Sequence, residues 1–246
     1  MSDTAIAFRG GGAETANGVT MLRAGRYHFT VRSAKGGHAL QLARFNEGYT
    51  PEQAQKDFQS AFEGDVAAVQ RIDNGMVFLG GASARPNRPG SLVVKLGAGH
   101  YAALDQNGPA FAMLHMVGAA PKQPKVAYEG TYTAFTHGWH SSRGLPASGM
   151  VRFRNQSDQP HFLVLQQVKD STTKAQVRRF VNRGLQGQPP WALKAFADSG
   201  VVSPGKSQLL RYDLPPGKYV IACFWPDYFT GAPHVVHGMW DLVRIS

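Results

Sequence analysis

Towards its C-terminal end the chain reads CFWPDYFTGAPHVVHGM, from Cys223 to Met239. The segment opens with the only cysteine of the protein and continues to His234, His237 and Met239. Upstream, His161 follows the turn residues SDQP and opens the apolar run HFLVLQQV. A thiolate, two imidazoles and a thioether form a donor set with a narrow choice of metals. Sulfur ligands are soft and neutral imidazole is borderline, so together they suit copper in both of its common oxidation states. Each residue also has a plainer reading. A lone cysteine closing an apolar strand, here GKYVIAC, behaves as a small buried hydrophobe, and Met239 reads equally well as core. The metal reading therefore rests on the four occurring together and in order. His237 lies in the same loop at a less familiar spacing and reads as a neighbour of the site. Trp225, Asp227, Tyr228, Phe229 and Trp240 surround the motif as a rim that packs the loop, or as a docking surface or small-molecule pocket.

One cysteine excludes an internal disulfide, a four-cysteine zinc site, a binuclear copper site with two thiolates, and iron–sulfur clusters held by several cysteines. No Walker loop, Gly-x-Ser-x-Gly elbow or His-Glu-x-x-His pair is present. The glycine run in RGGGAE follows no convincing strand. The net charge of +10 reads first as a solvated basic surface and, more sharply, as attraction to an acidic partner protein or a polyanion; nucleic acid is disfavoured, because no basic helix or compact Lys/Arg run with interleaved aromatics accompanies it. No apolar run approaches the roughly 18 residues of a membrane span. The N-terminus has no basic region followed by an apolar one. This leaves two compartments open: outside the cytoplasm if a signal has been removed, the cytoplasm otherwise.

The elements that must position these residues are short strands. Gly (28) and Pro (15) are abundant and charged residues make up only 17%, a balance that favours strands joined by turns over long helices. The chain also repeats itself. GRYHFTVRSAKGGHALQLARF, from Gly25, resembles SGMVRFRNQSDQPHFLVLQQV, from Ser148, and places His38 on His161. TPEQAQKDF resembles TTKAQVRRF; both read as short amphipathic helices, with Thr50 and Ser171 at the N-cap positions. SLVVKLGAGHYAALD resembles SQLLRYDLPPGKYVIAC, which puts Asp105 where Cys223 stands, and AMLHMVG set against GMWDLVR puts Met113 opposite Met239. The organisation expected is a flexible tail over 1–17, one unit over 18–117, a Pro/Lys linker over 118–127, and a second unit over 128–246. Each unit has the period-2 runs of a Greek-key β-sandwich with one short helical insertion, so the fold class is all-β with two tandem sandwiches.

The second unit resembles the cupredoxins, and more closely bacterial cupredoxin-like proteins with the pattern PGxYxxxCFxPD…GxPHxxxGM. Here that pattern reads PGKYVIACFWPDYFTGAPHVVHGM, with PHFLVL matching the strand of the first histidine. The resemblance covers most of 128–246 and, in degenerate form, about 18–117. It implies the β-sandwich and ligation of one copper ion per chain by His161, Cys223, His234 and Met239. In the first unit Asp105 replaces the cysteine and no histidine follows it, so that unit is expected to be a structural partner. His100, His115, His137 and His140 are expected as ordinary strand and loop residues, with an interdomain metal site of His137 and His140, in HGWH, and His115 as the minor alternative. Two-domain copper enzymes share the layout, but their His-x-His and His-Cys-His segments are missing. A trimer would follow only by analogy with such relatives. The function expected is mononuclear type 1 copper binding with electron transfer to an acidic partner protein. Two alternatives stay open: a cupredoxin-scaffold enzyme or small-molecule binder using the same loop end, and a copper carrier.

Overall fold

The computed structural model describes residues 2–9, 12–15, 21–108, 111–142 and 144–246. In the first half the strands are β1 (Ser2–Arg9), β2 (Gly12–Thr15), β3 (Met21–Arg23), β4 (Gly25–Ser33), β5 (His38–Phe45), β6 (Met76–Ala84), β7 (Gly90–Leu96), β8 (Gly99–Asp105) and β9 (Phe111–Val117). Helices α1 (Pro51–Phe62) and α2 (Val66–Gly75) lie between β5 and β6. The second half has β10 (Gly130–Phe135), β11 (Gly138–Ser141), β12 (Ser148–Asn155), β13 (Val164–Val168), α3 (Lys174–Asn182), β14 (Ala192–Asp198), β15 (Ser207–Asp213), β16 (Gly217–Ala222) and β17 (Trp240–Ile245).

These strands form one long sheet, in the order β11-β10-β12-β15-β7-β4-β1-β2, and two shorter ones, β3-β9-β8-β5-β6 and β14-β13-β16-β17. Alternation explains the layering. Along β4 the residues Tyr27, Phe29 and Val31 are buried while their neighbours are not, which is the pattern of a strand with one face on a core. Each short sheet packs on its half of the long one. The long sheet runs unbroken from one half to the other through β7 and β15, where Leu92 pairs with Leu210. One apolar core therefore includes Phe29, Leu40 and Phe78 from the first half and Phe153, Leu210 and Tyr219 from the second.

The internal repeat is visible as topology. Strand β10 lies parallel to β12 and forms a hairpin with β11; β1 lies parallel to β4 and forms a hairpin with β2. The expectation of a flexible tail over 1–17 is thus corrected for its described residues. Ser2–Arg9 satisfies the edge of β4, whose backbone donors and acceptors would otherwise stand unpaired; Met1, Gly10, Gly11, Ala16 and Asn17 lie outside the described residues. Residues 118–128 have no regular structure; within them, Gln123 and Pro124 accept hydrogen bonds from Arg26.

Helices α1 and α3 both open on a capping box, Thr50 with Gln53 and Thr173 with Gln176. The N-cap of α3 is therefore Thr173 rather than Ser171, because only Thr173 has a Gln at the third helical position to return the bond. The first insertion also holds a second helix, α2, capped by Asp65. The pairing of Met113 with Met239 is corrected as well. Ala102 pairs with Met113 on β8–β9, and its counterpart Val220 pairs with Leu242 on β16–β17. Register fixed at Asp105 and Cys223 thus places Met113 opposite Leu242, three positions on. Met113 is 40% exposed, whereas Met239 is fully buried.

At the position equivalent to His161 and Cys223, the first half carries a hydrogen-bonded pair. His38 Nδ1 donates to Asp105 Oδ2 at 2.6 Å, while Asp105 Oδ1 accepts from the backbone N–H groups of Ala39 and Asn107 at 3.1 Å each. Removing the buried carboxylate orphans these donors. Asp105→Ala should therefore lower stability by about 1–3 kcal/mol, read as a shift in the urea unfolding midpoint, without changing metal uptake by the second half.

Candidate metal centre

Two adjacent strands set the distance between the candidate ligands. β13 and β16 pair antiparallel with Val164 opposite Ala222, which brings the segment before β13 alongside the residue after β16. His161 lies on the first and Cys223 is the second. His161 itself sits ahead of the regular strand, held by a two-way backbone bridge to Val202 at 2.8 and 3.1 Å. The preceding turn is held by buried Asn155, whose Nδ2 donates to the carbonyls of Gln159 and Val202 at 2.7 and 2.8 Å. From Cys223 the chain leaves the sheet, loops out, and returns to begin β17 at Trp240. The loop is cross-tied: His234 N donates to Trp225 O, Met239 N to His234 O, and Cys223 N to Met239 O.

The result brings His161, Cys223 and His234 together, each fully buried, with one donor atom from each within 4.8 Å of the others. Cys223 Sγ lies 3.7 Å from His234 Nδ1, and the two imidazole centroids are 4.6 Å apart. Met239 is fully buried in the same core and joined through its backbone to both Cys223 and His234. His234 has its orientation set from behind. Its Nε2–H donates to Gln159 Oε1 at 3.0 Å, which leaves the lone pair on Nδ1, the nitrogen that faces sulfur. Gln159 Nε2 donates in turn to Asp227 Oδ2 at 2.9 Å. Asp227 also accepts from Thr230, from the N–H groups of Phe229 and Thr230, and from His137 Nε2 at 3.3 Å.

His161 is different. Both of its ring nitrogens are buried and neither has a hydrogen-bond partner. Burial pushes its pKa down to about 2, with the nearby His234 and His137 adding to the effect. Burial likewise takes His234 down to about 4, against the pull of Asp227. Burial pushes the Cys223 thiol up to about 12, opposed by the backbone N–H groups of Phe162 and Trp225, which favour the thiolate. Burial also acts to raise Asp227, but the hydrogen bonds from Gln159, Thr230, Phe229 and His137 outweigh it and hold its carboxyl well below the usual range. Chemically, the centre offers two neutral imidazoles with free lone pairs across the whole neutral range. It also offers a thiol that gives up its proton when a cation takes its place. Those residues fit a soft or borderline metal.

The remaining rim residues divide. Trp225 is buried and its Nε1 donates to Asp73 Oδ1 of α2 at 3.2 Å, while Phe58, Phe62 and Phe78 meet its ring edge-on. Burial, aided by the charge of Asp227, pushes the Asp73 carboxyl up to about 8. Tyr228 receives bonds from Gln70 and Asn74 of α2. At Gly231, with φ of +70°, a Cβ would come within 2.7 Å of the Gly64 carbonyl, so the loop and the α1–α2 turn meet at backbone distance. Phe229 is 70% exposed. His237 is exposed and bonds Thr230 at 2.9 Å. Trp240 belongs elsewhere: it packs on the smaller core of Val168, Val177 and Trp191. Sequence reasoning missed Gln159, Asp73 and the role of His137. His137 stacks on His237 and meets His234 edge-on, whereas His115 stacks on His100. The HGWH segment was the one visible hint of it.

No family model matches the chain, and no curated protein matches it. Among solved structures it is similar to auracyanin B at 22% identity, over 47% of this chain and 86% of that one, with a TM-score of 0.30. It is similar to auracyanin A, a "blue" copper protein from the green thermophilic photosynthetic bacterium Chloroflexus aurantiacus, at 16% identity over 47% and 99% of the two chains, with a TM-score of 0.28. A Cu-containing nitrite reductase from Thermus scotoductus matches over 99% of this chain and 60% of that one, at 10% identity and a TM-score of 0.24. Scores this low carry no weight for the site, whose reading rests on its own geometry.

An imidazole with two unsatisfied nitrogens costs the metal-free fold stability. His161→Leu should therefore stabilise metal-free protein by about 1–3 kcal/mol at pH 7 in urea unfolding. The pH dependence has a definite sign. The unfolded chain protonates its histidines near 6.5, and the folded chain resists until about 4 at His234 and about 2 at His161. The histidine contribution to stability is thus complete above pH 6.5 and is lost as pH falls from there, while Asp73, whose pKa is raised, works in the opposite direction. The decline should be shallower in His161→Leu. A variant less stable than the parent at pH 7 would show that His161 serves the fold.

Proposed function

We propose that the second half of the chain binds one copper ion and carries single electrons. His161, Cys223 and His234 would hold the ion, with Met239 as a weaker fourth donor. The observation that supports this most directly is His161: a fully buried imidazole, free at both nitrogens, placed against a buried thiol and a second buried imidazole. Folding gains nothing from that arrangement, and ligation would satisfy it. In such a donor set copper supplies a reversible one-electron couple. The chain's own part is to keep the donors fixed, dry and correctly protonated. Gln159 holds the His234 tautomer, the N–H groups of Phe162 and Trp225 favour negative charge on Cys223, and the apolar core excludes water.

In the same reading the chain is two tandem cupredoxin-like units, 128–246 and a first unit of 18–117 extended by β1 and β2, the first having exchanged its ligands for the His38–Asp105 pair. The net charge of +10 favours an acidic partner protein. Among the described residues no helix is long and apolar enough to cross a membrane. Full burial of all three ligands favours slow metal exchange, and so electron transfer over copper delivery. Cavities of about 570 Å³ beside Arg85 and Arg211 and about 530 Å³ beside Tyr49 and Arg71 lie away from all four candidate ligands, so neither supports a small-molecule site at the loop end.

The test is a Cu(II) titration of metal-free protein followed by visible absorption and EPR, in parallel with Cys223→Ala. The expected result is an intense thiolate-to-copper charge-transfer band with narrow hyperfine splitting. It saturates at one copper per chain and is absent from the variant. Colourless protein, or weak binding that the substitution leaves unchanged, would sink the proposal.

A further inference from the structure

We propose that the first half carries a second metal site, on its surface and selective for Cu(I), built from Met21, His100, Met113 and His115. Strand pairing places these residues together. On the short sheet of that half, Met21 of β3 pairs with His115 of β9, and His115 pairs with His100 of β8. Directly paired residues project from the same face, with Cβ atoms about 4.5–5.5 Å apart. Met113, two residues from His115 along β9, projects from that face too, about 7 Å away. Two thioethers and two imidazoles therefore occupy one patch.

The face they share is the outer one. The alternate residues Tyr101, Leu114 and Met116 turn into the core and are buried. Met21 is 57% and Met113 40% exposed. The two imidazoles stack with centroids 4.2 Å apart and planes 13° from parallel, and no hydrogen bond ties either ring among the described residues. Exposed methionines taken singly need no explanation; here two flank a bare histidine pair.

Chemistry selects the ion. Two thioethers and two imidazoles bring no anionic donor, and no carboxylate is paired into the row. Arg23, two residues along β3 from Met21, adds a positive charge on the same face, opposite Val117. A monovalent ion tolerates that setting better than a divalent one, and thioether donors favour Cu(I) over Zn(II) or Cu(II). Long, flexible methionine side chains close the remaining distance without disturbing the strands. Donors open to solvent suit quick uptake and release, the opposite of the buried centre.

The proposal does not depend on the buried centre, and its test removes that centre. Full-length Cys223→Ala, and Cys223→Ala combined with His161→Leu as a second background, would be titrated anaerobically with Cu(I) against the chromophoric chelator bicinchoninate. Each should retain one Cu(I). Met21→Leu with Met113→Leu should weaken retention by more than the roughly tenfold that even outer ligand partners command. His100→Ala with His115→Ala should abolish it. Met21, His100 and Met113 are exposed and His115 is half-buried outside the core, so melting temperature should hold. Failure of both backgrounds to retain Cu(I), or retention unchanged by either double substitution, would overturn the proposal. So would Zn(II) binding as tightly as Cu(I). If wild type lacks the blue band while Cys223→Ala retains Cu(I) through this patch, the buried-centre reading fails and this one stands.

Discussion

The structure turns on one ladder, the antiparallel pairing of β13 with β16 in which Val164 faces Ala222. That register carries the approach to His161 alongside Cys223, and a one-residue slip would turn Cys223 to the other face of its strand. Everything else about the centre follows from holding this register in a dry interior. Leu163, Leu165, Tyr219 and Ile221 bury the ladder. Cross-ties from Cys223 to Met239 and from Trp225 to His234 then fold the long loop back over its end. The same burial that secures the ladder strips water from the ligands, lowers both histidine pKa values and raises that of the thiol. Packing and protonation state therefore have a single cause.

The first half carries the His38–Asp105 pair at the equivalent position, and it helps to build the centre of the second. Val202 is the hinge of this dependence. Its backbone bridges both His161 and Leu79 of β6, its neighbour Val201 exchanges hydrogen bonds with the Gln41 side chain, and Ser203 bonds Phe78. From the other side, α1 and α2 cover the ligand loop, with Trp225 enclosed by Phe58, Phe62, Phe78 and Asp73. Fully buried donors from both halves meet here, so neither half offers the other a merely passive surface. The continuous sheet through β7 and β15 makes the same point: the core is shared, and the two halves of the sequence repeat are not two separate cores.

Divergence of the repeat also has a physical logic. In the second half a thiol and a bare imidazole face each other in a closed interior, an arrangement that leaves both imidazole nitrogens unsatisfied. In the first, Asp105 replaces the thiol and accepts directly from His38 and from two backbone donors, so the position is satisfied. A buried carboxylate with three donors is a structural solution, and it leaves His38 partly open to solvent.

The candidate residues were legible because donor type is written in side chains: one Cys, a His after a turn, and a His and a Met in a closing loop. The strands were legible because burial on one face imposes a period of two. The repeat was legible where it kept helices and turns, and was misjudged at residues 1–17, at Ser171 and at Met113, where local pattern could not say which register long-range pairing would choose. Gln159, His137 and Asp73 were invisible for the same reason. They act on His234, Asp227 and Trp225 from 75, 90 and 152 positions away in the chain, and nothing local marks a glutamine that holds a tautomer. The sequence alone determined which donors exist and which strands present them. Only the tertiary structure decided which nitrogen faces the sulfur, that His161 has no other partner, and that the first half encloses the second half's centre, because those facts depend on backbone distances set by packing between segments far apart in the chain.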